Sequence, residues 1–274
     1  MRDDRVLPGT RVLAVVLVPI LVAAFVILYG FPADTGRLFA WTISPQLTPM
    51  VLASAYLGGA WFFVRVAGER RWAAVGAGFL AVCLFATLLG IATVLHWDRF
   101  NHGHLAFWLW ATLYFAAPLL VLGAWVANAR VAAPPRPDEP RITPGARAVI
   151  ATGGGLALVQ GLVLFAFPSL MIPLWPWQLT PLTCRVVGAI FCLGSAGLVV
   201  IRDARWERLR LLAEVAIVML TLMLVGGLRA RGDLHTDRLL TWLLGVGLVG
   251  ALIGSVVLWW TMRGPRTRPL TSDG

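Results

Sequence analysis

Lysine is missing altogether from these 274 residues, so every basic side chain other than histidine is an arginine. Charge of either sign is scarce as well: 13% of the chain is charged and 59% hydrophobic, where a soluble domain carries about 25% and about 45–50%. That composition excludes an ordinary water-soluble domain and points to an integral membrane protein. Cysteine is limited to Cys83, Cys184 and Cys192, an odd set inside apolar runs with no framework spacing. No disulfide is expected, and their role is that of small packing residues. A nucleophile elbow, a phosphate-cradling glycine loop and the zinc-protease helix motif are all absent, and no cofactor is implied.

What the chain has is apolar length. A run of about 20 apolar residues crosses a hydrocarbon core roughly 30 Å thick. Eight such runs occur, near 12–30, 47–66, 73–95, 105–127, 148–167, 181–201, 209–228 and 239–261. The first could pass for a signal peptide, but it is too long for one and has no small-residue cleavage site, so it is expected to stay as a span.

The runs fall into two sets of four, because Gln46-Leu47-Thr48-Pro49 returns as Gln178-Leu179-Thr180-Pro181. Phe31-Pro32 matches Phe167-Pro168, Trp41 matches Trp175, Arg71-Trp72 matches Arg205-Trp206, and Trp108 matches Trp242. The offset is about 134 residues throughout, the mark of one structural unit used twice. An even number of spans per unit gives both the same orientation, so the fold class expected is an all-α integral membrane protein of eight transmembrane helices in two parallel four-helix repeats. The repeats occupy 1–131 and 147–262. Between them lies a Pro/Arg-rich linker, 132–146, with Pro134, Pro135, Pro137, Pro140 and Pro144, expected to be an extended tether. A polar tail, 263–274, follows.

Arginine distribution sets the expected topology. The N-terminal tail, the 67–72 and 202–208 turns, the linker and the C-terminal tail hold most of the arginines. The alternate loops have few. Both termini are therefore expected in the cytoplasm of a cell (inner) membrane. The net charge of +10 reflects topology and contact with anionic membrane lipids, not nucleic acid. Tryptophans at both ends of the spans suggest interfacial belts: Trp41, Trp97, Trp108, Trp110, Trp175, Trp177 and Trp242 outside, Trp72, Trp125, Trp206, Trp259 and Trp260 inside.

Ionisable groups inside a bilayer are costly and mark candidate sites. Two stand out as candidates: Arg185, one turn past Pro181 with no acidic neighbour, and Glu214, one turn after Arg210 and able to pair with it. Arg185 is the candidate contact for an anionic group. The remaining interior polarity is Gln160 with scattered Ser and Thr. Thr48 and Thr180, each preceding a proline, are expected to cap the starts of helices two and six, and with Gln46 and Gln178 they form a candidate anion-holding pair of helix starts.

All four histidines lie in outer loops. His96, Asp98, Arg99, His102 and His104 occupy one; Asp233 and His235 occupy its counterpart. The loops could meet as a polar network of Asp98, Arg99, His102, Asp233 and His235. His102, His104 and His235 are weak metal candidates, since imidazole with carboxylate suits zinc or copper. The last span carries Gly245, Gly247, Gly250 and Gly254, a pattern for close helix approach, with packing inside the monomer expected. Taken together, the residues favour a non-enzymatic accessory, scaffold or lipid-binding membrane protein, with a membrane-protein partner conceivable. The alternatives are a transporter of a small or amphipathic solute with a site between the repeats near Arg185, and a membrane enzyme using the outer His/Asp loops.

Overall fold

The computed structural model describes residues 4–132 and 139–263. Eight of its helices are long and apolar enough to cross a membrane. They are α1 (Pro8–Gly30), α2 (Leu47–Gly68), α3 (Gly76–Leu95), α4 (Leu105–Val131), α5 (Pro144–Ala166), α6 (Pro181–Ile201), α7 (Trp206–Arg229) and α8 (Leu239–Thr261). Each lies within a few residues of an apolar run, and the described residues form no strand. This is an all-helical, multi-pass membrane protein.

Local chemistry fixes several boundaries. Pro8, Pro144 and Pro181 open α1, α5 and α6, where the missing N–H would have had no helical partner. Gly30 ends α1 after a wider turn over Val26–Gly30, and α6 tightens into a 3-10 coil over Leu193–Ile201.

Sequential neighbours pair: α1 with α2, α3 with α4, α5 with α6, α7 with α8. The pairs join through α2 against α7, α3 against α6, and α2 against α6. So α2, α3, α6 and α7 form an inner set, and α1, α4, α5 and α8 stand outside it. Lipid tails are as apolar as leucine, so association rests on close packing and hydrogen bonds rather than on escape from water. Glycine supplies the close approach. A Cβ on Gly161 would lie 2.6 Å from the Gly188 carbonyl oxygen, and one on Gly188 the same distance from that of Gly161. Backbone therefore touches backbone between α5 and α6.

The outer helices differ sharply. α4 buries Phe107, Trp110, Ala111, Tyr114, Ala117, Val121 and Asn128, whereas α8 buries no residue. The α8 glycines were expected to pack within the monomer. Instead a Cβ on Gly245, Gly247, Gly250 or Gly254 would meet nothing within 4 Å; α8 leans on the bundle through Leu240, Leu244 and Leu248.

Residues 4–6 lie beside 70–72, and 140–142 beside 204–206, all at one end of the bundle, here called basal. Leu258, Trp259 and Met262 pack on Ile142 and Trp206, which brings the end of α8 there too. The opposite end is apical.

Three expectations need correcting. The linker is not an open tether up to 146: the Ile142 N–H donates to Ala204 O and the Trp206 N–H to Pro140 O, and α5 already begins at Pro144. Residues 133–138 of the linker and 264–274 of the tail lie outside the described residues. The tryptophans are only partly a belt. Trp97, Trp108, Trp242 and Trp260 are exposed, but Trp41, Trp72, Trp110, Trp175, Trp177 and Trp206 are buried. Trp41 stacks among Phe39, Phe100 and Trp110, so the 31–46 loop folds into the bundle end instead of lying on its surface. Nor is interior polarity limited to small side chains, because Tyr114 and Tyr56, both buried, share a hydroxyl hydrogen bond of 2.9 Å between α4 and α2.

Candidate functional site

The basal end of the central seam is an ion-pair clasp. Arg71, in the turn between α2 and α3, reaches three carboxylates with three different nitrogens: Asp4 at 3.2 Å, Glu139 at 3.1 Å and Glu207 at 2.5 Å. Arg205, in the turn between α6 and α7, holds the other oxygen of Glu139 at 3.0 Å and also pairs with Asp203. Arg208 adds a contact of 2.8 Å to Asp203. One carboxylate, Glu139, thus bridges the two arginines. Its burial favours the neutral form, but hydrogen bonds with Glu207 and Arg71, and the charges of Arg205 and Arg71, outweigh that and hold it below its ordinary range. Hydrogen bonds from Arg205 do the same for Asp203 against its burial.

Glu214 sits deeper and is buried at 9% exposure. It pairs with Arg210 at 3.2 Å, as the i,i+4 spacing suggested, and also lies 3.6 Å from Arg65 on α2. The Trp61 indole N–H donates to it at 3.2 Å. Arg65 escaped the sequence search because it stands near the end of its run; an arginine on a neutral helix was the available signal. Asn128 was missed likewise, standing one residue past the apolar run 105–127. It is fully buried in α4, accepts the Leu7 N–H at 2.9 Å and donates to Thr10, so it closes the start of α1.

At the apical end the helix starts behave differently from each other. Thr180 caps α6 in a reciprocal box with Thr183. Thr48 is no cap. α2 starts at Leu47, two residues before Pro49, and the Leu47 N–H donates at 2.9 Å to Asp233 from the α7–α8 loop. Thr48 is buried and accepts the Trp177 indole N–H at 2.9 Å. Its hydroxyl faces a donor from the other half of the chain, which a local capping pattern cannot reveal. Gln46, Gln178 and Thr180 are exposed.

The two outer loops do not merge into one network. Asp98, Arg99 and His102 are exposed and make no hydrogen bond or ion pair with Asp233 or His235. His102 stacks with Trp97 and Phe107, while the His235 N–H donates to Pro176 O at 2.7 Å. Among the described residues no three His, Cys, Asp or Glu come together as a metal site, and that includes His102, His104 and His235. The cysteines are free thiols.

Arg185 does find a partner, and it is a neutral one. Its Nη1 lies 2.8 Å from His96 Nε2, across the α3–α6 contact, and 3.5 Å from Pro181 O. Burial, then the charge of Arg185, then that of Arg99, lower the His96 pKa, so the ring accepts from the guanidinium with its proton on Nδ1. Arg185 Nε is sealed from solvent and has no hydrogen-bond partner.

The geometry therefore separates the ion-paired basal arginines from Arg185, whose bonded partners are an imidazole and a backbone carbonyl. No protein-family model matches this chain, and no curated protein or solved structure does either.

Proposed function

We propose that this is a non-enzymatic, lipid-binding scaffold protein of the cell membrane, built from two parallel four-helix repeats with the basal end in the cytoplasm. The observation that carries this is the use made of the polar residues: at both ends of the seam they tie one half of the chain to the other. Arg71, Glu139 and Arg205 do so basally, and Asp233 with Leu47 and Thr48 with Trp177 do so apically. A polar set consumed in fastening suits a bundle that holds its shape more than one that opens a path or runs a reaction.

The repeat is supported by hydrogen bonds that recur in register. Val6 N–H to Arg70 O and Trp72 N–H to Asp4 O return as Ile142 N–H to Ala204 O and Trp206 N–H to Pro140 O. Asn101 N–H to Ala40 O returns as His235 N–H to Pro176 O. Trp108 Nε1 to His102 O returns as Trp242 Nε1 to Thr236 O. The helix contacts obey the same two-fold, since α2 on α7 becomes α6 on α3 when the halves exchange. Orientation follows from the arginine-rich basal turns.

The test is native mass spectrometry of the protein released gently from its own membrane, beside a reporter fused after Gly274. A stoichiometric lipid or membrane-protein partner and a cytoplasmic reporter are expected. A bound water-soluble metabolite would replace the scaffold with a transporter, and a reporter signal from the far side would invert the topology.

A further inference from the structure

Glu214 has one cation more than it needs. Arg65 on α2 and Arg210 on α7 both close on its carboxylate, at 3.6 Å and 3.2 Å, and each does so through Nε. The carboxylate side chain is 9% exposed, whereas those of Arg65 and Arg210 are 30% and 42% exposed. Among the described residues no hydrogen bond uses an Nη nitrogen of either arginine, and none of these nitrogens is sealed inside the protein. Both guanidiniums therefore keep their Nη ends open, on a triad with one surplus positive charge.

Fastening does not explain the surplus, since one arginine and one carboxylate would join α2 to α7. The basal backbone bonds that fasten the fold return in both halves. The triad does not return. At the offset of about 134 residues, Arg65 falls on Val199, Arg210 on Gly76 and Glu214 on Leu80.

Depth supplies the ligand class. Arg65 stands three residues from the basal end of α2, and Arg210 four residues into α7, about 5–6 Å along each helix. That is the level at which headgroup phosphates meet acyl chains. Trp61, one turn deeper than Arg65, is exposed and donates its indole N–H to Glu214. Val64 is exposed as well, and the spacing of 61, 64 and 65 puts all three on one face of α2. From the basal end inward that face offers a cation, then aliphatic and aromatic surface. Open guanidinium donors suit the oxygens of a phosphate, and the apolar bed below suits a chain.

We infer that Arg65 and Arg210, held by Glu214, form a phosphate-binding site at the basal headgroup level, filled by the phosphodiester of an anionic lipid whose acyl chain lies on Trp61 and Val64. The inference rests on the lipid-binding reading and says where on the protein the lipid is held. An anionic headgroup brings the one negative charge that the triad is short of, and a zwitterionic one brings no net charge. Free phosphate would present the same oxygens but gains nothing from the apolar bed.

The full chain, delipidated in detergent, is titrated with phosphatidylglycerol, with phosphatidylcholine and with inorganic phosphate, and occupancy is read by native mass spectrometry. One phosphatidylglycerol is expected on the wild type in preference to phosphatidylcholine, resisting millimolar inorganic phosphate. Occupancy should fall about tenfold when Arg65→Gln and Arg210→Gln are combined, and about threefold in the matching lysine pair, which keeps the charge but loses the planar donors. Arg130→Gln with Arg202→Gln removes the same charge from exposed basal arginines elsewhere and should leave occupancy unchanged. Glu214→Gln should raise it about threefold, because both cations then face the phosphate unopposed. Thermal midpoints are recorded for every variant, so that if the glutamine pair fails to fold, the lysine pair and Glu214→Gln decide. An equal fall in the Arg130 and Arg202 control would overturn the site in favour of a diffuse basic surface. Unchanged occupancy in the Arg65 and Arg210 variants would also overturn it, leaving a lipid held elsewhere and the scaffold reading intact. Displacement by inorganic phosphate would overturn the lipid and leave a free-phosphate site. A water-soluble metabolite retained by the wild type would overturn the scaffold reading alone if the arginine effect on phosphatidylglycerol persists.

Discussion

At the basal end of the seam Arg71 and Arg205 are ringed by carboxylates, whereas at the apical end Arg185 faces a neutral imidazole. Both ends join the halves of the chain, but by different forces. Basally the fasteners are charges whose attraction is strengthened by partial burial. Apically they are hydrogen bonds from a backbone N–H to a carboxylate, Leu47 to Asp233, and from an indole N–H to a hydroxyl, Trp177 to Thr48. A saturated ion network holds its parts and offers nothing to an incoming group. Among the described residues the apical end has no such network: one carboxylate and one hydroxyl do the fastening.

If the basal clasp is what holds that end, Arg71→Ala is the largest available perturbation. It strands Asp4, Glu139 and Glu207, whose side chains are only 10% to 22% exposed, around a missing cation. A loss of about 3 kcal/mol is expected, at the low end for breaking a buried pair because these groups keep some water. Thermal unfolding in detergent measures it. Arg71→Lys should recover only part, since one ammonium cannot reach three carboxylates along separate directions. A loss below about 0.5 kcal/mol, the ordinary surface value, would show the clasp to be a solvated feature and remove the contrast between the ends.

The apical counterpart is smaller. Asp233→Ala removes the acceptor for the Leu47 N–H and should cost about 1 kcal/mol, the worth of a helix cap. Hydrogen exchange at Leu47 should quicken while the start of α6, capped by its own Thr180, stays unchanged. Equal quickening at both starts would mean that Asp233 supports the loops generally and not α2.

Whatever depends on local spacing was legible in the sequence. The apolar runs gave the eight spans, Thr180-Pro181 gave the start of α6, and Arg210 four residues before Glu214 gave that pair. Long-range partners were not. Asp233 is far along the chain from the helix it caps, and Arg65 from the carboxylate it meets, so the residues beside them carry no sign of either contact. Arg71-Trp72 and Arg205-Trp206 were noticed as matching pairs, but arginines in basal turns already had a topological explanation. What exposes their second role is Glu139, at the end of a proline-rich segment that has no periodicity to mark it. The tryptophans misled for a related reason. Position near a span end fits an interfacial anchor and a buried plug alike, and only the fold of the 31–46 loop separates Trp41 from Trp108.

The finest test of the two ends uses acid. The His96 imidazole has its pKa lowered by burial first and then by the charges of Arg185 and Arg99, so the folded protein binds fewer protons there than the unfolded chain. The stability contributed by the neutral ring is fully present above the unfolded histidine value of about 6.5 and is lost as pH falls through the lower folded value. Protonation would set an imidazolium against Arg185 and open the α3–α6 contact at its apical end. Thermal midpoints of wild type and His96→Gln, followed downward from neutral pH, isolate this effect, because the basal carboxylates titrate alike in both proteins. The wild type should lose stability faster than the variant below about pH 6.5. Parallel curves would show that His96 takes up its proton alike in the folded and unfolded chain, and that its contact with Arg185 does not oppose protonation.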